Sequence, residues 1–206
     1  MSIVKLNNNG VKNATAFGSI TGLGNLILIK TQTASSSASI SFVDGASSVV
    51  LDNTYKEYIF YFNNIHPATD NAKLTFQAST DTGSSYGVTI TSTRFYAFHR
   101  ENDATPELAY DGSEDLAQST DFQNVTGGIG NGNDEVGSGY IHLFNPSSTT
   151  FVKHFIVNAN SYHGLDASLN AYTAGYYNST SAIDAIQFKM GSGNIDAGTI
   201  SLYGVV

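Results

Sequence analysis

From about Gln32 onward, apolar residues recur at every second position, the period of a half-buried β-strand. "SASISFVDG" sets Ala38, Ile40 and Phe42 on one face and Ser37, Ser39 and Ser41 on the other, and Asp44-Gly45 makes a turn. "KLTFQAST" alternates Leu74, Phe76 and Ala78 before a turn at "DTGSS". "GVTITSTRFYAFHR" leads from Val88 and Ile90 to Phe95, Tyr96 and Phe98. "YIHLFNP" directs Ile141 and Leu143 inward, and "TFVKHFIVNAN" is the next strong strand. The aromatic run Tyr58 to Phe62 in "YKEYIFYFNNI" predicts a strand buried on both faces. Residues 161–190 supply two more strands, the second with a bulge near Asp184. In "TISLYGVV", Ile200 and Leu202 face in, while Thr199, Ser201 and Tyr203 face out.

Roughly nine or ten strands at regular spacing argue for a sandwich or barrel rather than βαβ units. The predicted fold is an all-β, jelly-roll-like antiparallel β-sandwich over residues 34–206, preceded by an N-terminal arm, residues 1–33. In such a sandwich the last strand returns beside an early one, so "TISLYGVV" reads as a core strand. Two stretches lack the period. "RENDATPELAYDGSEDLAQST", residues 100–120, reads as a long loop with one helical turn around Ser113 to Ala117. "NVTGGIGNGNDEVGSG", residues 124–139, reads as a surface loop from its Gly and Asn content. The arm holds Gly10, Gly18, Gly22 and Gly24, yet keeps Val4, Leu6, Val11, Phe17, Ile20 and Leu23. The arm reads either as a loose N-terminus or as an attachment segment that orders on a partner, and its apolar residues, in which a plain linker is poorer, favour the second slightly.

Composition narrows the function. Only 13% of residues are charged, so Ser, Thr, Asn and Gly must form the polar surface, a mixture that suits strands and turns. The formal charge is −8 with 9 scattered basic residues, which argues against nucleic acid and against an anionic membrane surface. The chain has no Cys, which excludes disulfides, thiolate zinc sites and thiol catalysis. Its opening, "MSIVKLNNNGVKNATAF", is polar where a secretory leader would be apolar.

Candidate chemistry is sparse. Of the 5 histidines, none forms a His-x-His or His-x-x-x-His pair; His142 and His154 fall on adjacent predicted strands. Glu101, Glu107, Glu114 and Asp115 share the long loop, and Glu57 lies on a strand, so a glycosidase-type carboxylate pair is conceivable. No Trp is present to line a sugar cleft, although Tyr is plentiful. "DTGSS" and "NGNDE" offer oxygen ligands for calcium but match no EF-hand, and "GGIGNG" lacks the helix that a dinucleotide fingerprint requires. The reading is therefore non-enzymatic and without a cofactor. The candidate ligand-facing loop residues are Glu101, Glu107, Tyr110, Glu114, Asn131 and Asn133.

Three stretches carry a resemblance: "ASSSASISFVDGASSVVLDNTYKEYIFYFNNIHPATDN", "HLFNPSSTTFVKHF" and "SGNIDAGTISLYGV". Together they resemble a family of small virion structural proteins of marine tailed bacteriophages. The likeness runs from about Ala34 to the C-terminus, with a weaker echo in "KNATAFGSI". It implies a virion protein assembled in the host cytoplasm and exposed on the particle surface. It further implies phage coat or tail proteins as partners and a homotrimeric assembly, and it supplies no catalytic residues. Capsid decoration or cementing is the leading expectation. A tail-fibre or receptor-binding module contacting host-surface glycans through residues 100–120 and 124–139 is the alternative. A polysaccharide depolymerase comes third.

Overall fold

The computed structural model describes residues 25–104 and 106–206. The arm residues Val4, Leu6, Val11, Phe17, Ile20 and Leu23 lie outside them. The described residues form strands and turns with no helix. In chain order the strands are β1 (Leu26–Thr33), β2 (Ile40–Val43), β3 (Glu57–Pro67), β4 (Leu74–Ser79), β5 (Ile90–Arg100) and β6 (Glu107–Tyr110). There follow β7 (Gln123–Asn124), β8 (Gly137–Phe144), β9 (Lys153–His163), β10 (Ala167–Tyr177), β11 (Ala185–Met190) and β12 (Ile195–Val205). They build two antiparallel sheets, β1-β12-β3-β8-β9-β10-β5-β6 and β2-β11-β4-β7.

Eight of these strands form a jelly roll. β1, β3, β8 and β12 lie in the larger sheet, β2, β4, β7 and β11 in the smaller, and the chain changes sheet at every step through this set except from β4 to β7, which pair within the smaller sheet. The two hairpins β5–β6 and β9–β10 are insertions that widen the larger sheet beyond β8. β12 lies between β1 and β3, with Ile200 and Leu202 fully buried, as the alternation predicted. The predicted arm boundary at residue 33 is corrected, because Leu26–Thr33 is itself the edge strand of the larger sheet, paired with β12 from Leu26↔Val205 to Thr33↔Thr199.

The core is aromatic. Phe42, Phe60, Phe76, Phe155, Phe188 and Tyr177 are buried between the sheets. Ring centroids lie 5.3 Å apart for Phe42–Phe60 and 5.2 Å for Phe76–Phe155, both edge to face. Such pairs add roughly 0.5–1.5 kcal/mol each beyond their area burial. β3 is not buried on both faces as its aromatic run suggested. Tyr58, Phe60 and Phe62 point into the core, while Ile59 and Tyr61 lie on the opposite, half-buried face.

The widened sheet needs a cover that the smaller sheet cannot supply, and residues 125–130 provide it. Val125 to Gly130 are buried, which overturns the surface reading for that part of residues 124–139, while Asn131, Asn133 and Asp134 are exposed as it expected. The segment runs beside β4, where Val125 N donates to Leu74 O at 2.8 Å and Ile129 N to Ala72 O at 2.8 Å. Gly128 is needed for this approach, since a Cβ there would collide with the Asn71 side chain. Residues 100–120 also depart from a plain loop: Glu107–Tyr110 pairs with β5, and turns replace the expected helical one.

Arg94, on β5, fastens this cover. It is 1% exposed. Its guanidinium donates to Asp111 Oδ2 at 3.2 Å, Asn124 O at 3.2 Å, Thr126 O at 3.0 Å and Thr173 Oγ1 at 3.3 Å. One buried cation thus satisfies two cover carbonyls and binds the start of the loop to the sheet. Removing it strands those acceptors and leaves Asp111 without its counter-charge. Arg94→Met is expected to lose about 3 kcal/mol of unfolding free energy in urea titration; a loss under about 1 kcal/mol would show that the cover holds without it.

His163 closes the other end of the cover through a bridge to Ile129. Its Nδ1 accepts from Leu165 N at 3.2 Å, which requires the neutral ring at that nitrogen. Burial pushes this imidazole below its usual range, and the charges of Lys73 and Arg100 push the same way. The unfolded chain therefore takes up this proton at higher pH than the folded chain. The stability due to the neutral ring is present above the ordinary histidine pKa of about 6.5 and declines as pH falls through it toward the folded value. Urea midpoints at pH 7.5 and 5.5 are expected to fall further for the wild type than for His163→Gln; equal falls would exclude this histidine as the cause.

Candidate functional site

The outer face of the larger sheet stands out. The strand registers bring Ser201, Tyr61, Tyr140, Asn158, Tyr172, Phe95 and Tyr110 into one row across β12, β3, β8, β9, β10, β5 and β6. Phe95 and Tyr172 are stacked with centroids 4.9 Å apart and planes within 7°. Tyr61 meets Tyr203 at 5.6 Å and Tyr140 at 6.1 Å. Leu108 is 75% exposed and Ile156 48% exposed on the same face. Among strand residues of this face from β3 to β6, Glu57 is the one carboxylate, and it pairs with His142 Nε2 at 2.9 Å. No Lys or Arg joins it there. Polar character comes from amides: Asn158 Nδ2 donates to Asn170 Oδ1 at 2.7 Å, and Ser168 Oγ to Asn160 Oδ1 at 3.0 Å.

Three depressions mark this sheet. One of about 560 Å³ is mainly apolar and is walled by Phe144, His154, Ile156 and Tyr176 around Ala174. A second, of about 540 Å³, lies where β3 and β12 are bulged and includes Thr33, Asn63, Asn64, His66, Asn133 and Asp196. A third, of about 430 Å³, is lined by Arg100, Glu101, Asp134 and Tyr162. There the Glu101 carboxylate accepts from the Tyr162 phenol and pushes its pKa up to about 12.

The structure divides the predicted ligand-facing residues. Glu101 lines the third depression and Asn133 the second; Asn131 is exposed beside them and donates its backbone N–H to Asp70 Oδ1 at 3.3 Å. Glu107 and Tyr110 lie apart from them on β6, at the free edge, where Tyr110 donates to Asp115. Glu114 is an internal fastener, half-buried and holding Lys73 and Asn124. These carboxylates do not converge on a common space: Glu101 holds Tyr162, Glu114 holds Lys73, and Asp115 holds Tyr110.

His142 and His154 do not meet either, because the register sets His142 opposite Ile156; His154 instead lies 5.9 Å from Tyr176. In "DTGSS", the hydroxyls of Ser79 and Ser85 bond the Asp81 carboxylate and hold its pKa down to about 2, the work of a turn cap. Among the described residues, no group of three or more His, Asp or Glu side chains is placed to hold a metal ion.

Sequence reasoning missed the aromatic row. Its signal was present in "RFYAFHR", "AYTAGYY" and "YIFYF", where aromatic residues occupy both parities of one strand. Comparison with known proteins returns no match to any family, curated protein or solved structure.

The stacked pair permits a direct check. In a double-mutant cycle of Phe95→Ala and Tyr172→Ala, urea denaturation is expected to give a coupling of about 1 kcal/mol. A coupling near zero would mean that the two rings do not stack in solution.

Proposed function

We propose that this chain is a non-catalytic virion protein that decorates or cements a phage capsid surface as a homotrimer. The copies meet through the outer face of the larger sheet. The observation that carries this reading is that face itself: broad, aromatic and almost free of charge on a chain of net charge −8. Copies of an acidic protein repel one another, and the repulsion is least where the opposed surfaces carry no charge. Contiguous exposed apolar area beyond a few hundred Å² ordinarily marks a contact surface. Among the described residues β1 and β6 are the outermost strands of the larger sheet, few charges guard them, and assembly covers such edges.

The resemblance in sequence to virion proteins and the jelly-roll topology support the same reading. In it, residues 1–24 attach the trimer to coat subunits, and three weak attachments act together. Sedimentation should find a trimer at micromolar concentration, and Ile156→Glu with Tyr172→Glu a monomer of unchanged circular dichroism. The chain without residues 1–24 should remain a trimer and lose binding to capsids. A wild type that is monomeric at every concentration, or absent from washed particles by quantitative mass spectrometry, would overturn the proposal.

A further inference from the structure

The depression at the bulges of β3 and β12 is built by departures from regular pairing. Between Phe62 and Ile65, β3 slips against β8, and Asn64 N turns to donate to Ser138 Oγ at 3.0 Å. Against β12 the register slips twice, between Ile195 and Ala197 and between Ala197 and Thr199. Asn64 takes a left-handed backbone with φ 52°. Gly198 has φ 116°, and a Cβ there would stand 2.6 Å from Asn64 O. A strand that bulges against both neighbours at once sacrifices ladder hydrogen bonds and stores strain, features that concentrate at binding sites. The result is the concavity of about 540 Å³.

Its lining is specific in character. The side-chain amides of Asn63, Asn64 and Asn133 bond no other described residue. His66 Nε2 lies 3.0 Å from Gly132 O. A carbonyl only accepts, so Nε2 carries a proton. Asp196 Oδ2 stands 3.7 Å from the ring's other nitrogen, Nδ1, and its carboxylate is an acceptor at the rim. Among the described residues no Lys or Arg lines the space, which disfavours an anion, and the single carboxylate among them is too little for a divalent cation. Amide donors beside a carboxylate acceptor match adjacent hydroxyl groups, each of which both donates and accepts.

We infer that this pocket is a binding site for a neutral saccharide with vicinal hydroxyl groups. Asn63, Asn64 and Asn133 donate to its oxygens, and Asp196 accepts from its hydroxyls. The site is separate from the proposed trimer contact at Ile156 and Tyr172 and does not depend on it.

The test uses the full chain and saturation-transfer NMR with the methyl glycosides of mannose, galactose, glucose and N-acetylglucosamine at millimolar concentration. At least one is expected to show transfer, and titration should give an affinity weakened tenfold or more in Asn63→Ala and in Asn133→Ala. Asn133 sits in an exposed loop, so its variant separates loss of binding from loss of fold, and unchanged melting temperatures control both. Ile156→Glu should bind the sugar as the wild type does. Silence from all four glycosides overturns the inference, as does transfer that both Asn variants leave unchanged.

Discussion

Unequal sheet widths govern this molecule. Strands lie about 4.8 Å apart, so eight span about 34 Å while four span about 14 Å. Packed face to face, the smaller sheet leaves most of the inner surface of β9, β10 and β5 without a partner. A bare apolar sheet face in water would undo the sandwich, and a third sheet is absent from the described residues. The chain meets the need with irregular backbone, which brings its own demand, because every buried N–H and C=O must find a partner. Bridges from Ile129 to Ala72 and His163 answer part of it. Arg94 answers a further part from the sheet side, donating to the carbonyls of Asn124 and Thr126 while also holding Thr173 and Asp111. Buried Gln123 and Gln77 continue the pattern by donating to Glu114 O and to the carbonyls of Thr120 and Asp121.

The same insertions create the outer face. Without β5–β6 and β9–β10, that face would hold the strands β1, β12, β3 and β8, with Tyr61, Tyr140 and Tyr203 as its aromatic cluster. The hairpins add the Phe95–Tyr172 stack, Tyr110, Leu108, Ile156 and the asparagine pair Asn158–Asn170. They thus extend a small aromatic patch into a sheet-wide surface while importing almost no charge. Stability and interaction surface are tied: the polar clamp on the inner side exists because the strands that carry the outer side had to be covered.

What the sequence made legible follows from locality. Alternation identified the core strands, because one buried face with period two leaves its record in neighbouring residues, as at Ile40–Phe42, Leu74–Ala78 and Ile200–Leu202. The burial of Val125–Gly130 left no such record. Gly and Asn there serve close backbone approach, and the same residues mark a surface turn in any local reading. The aromatic run of β3 misled for a related reason: Tyr61 is half-covered by Tyr140 and Tyr203 from other strands, not by a second layer. β6 was too short for its period to show against the surrounding loop. Of the candidate site residues, Asn133 and Glu101 came to concave surfaces and Glu114 went to an internal bond, a division set by partners far away in sequence.

The double bulge completes this logic. Along most of β3 the registers with β12 and β8 are regular, and they hold the jelly roll together at its centre. At Asn63-Asn64 both fail together, in an interior strand whose disruption affects two ladders at once. A disruption that served only to end the sheet would be expected at an edge strand, where it costs one ladder. Here Ile65 and Pro67 resume burial immediately afterwards, and Ile195 on the partner strand is fully buried, so the sheet does not end at the bulge. The backbone leaves the ladder and returns to it, and the excursion sets exposed amides beside His66 and Asp196. Core packing on either side fixes the position of that excursion, which is what a preorganised polar pocket requires.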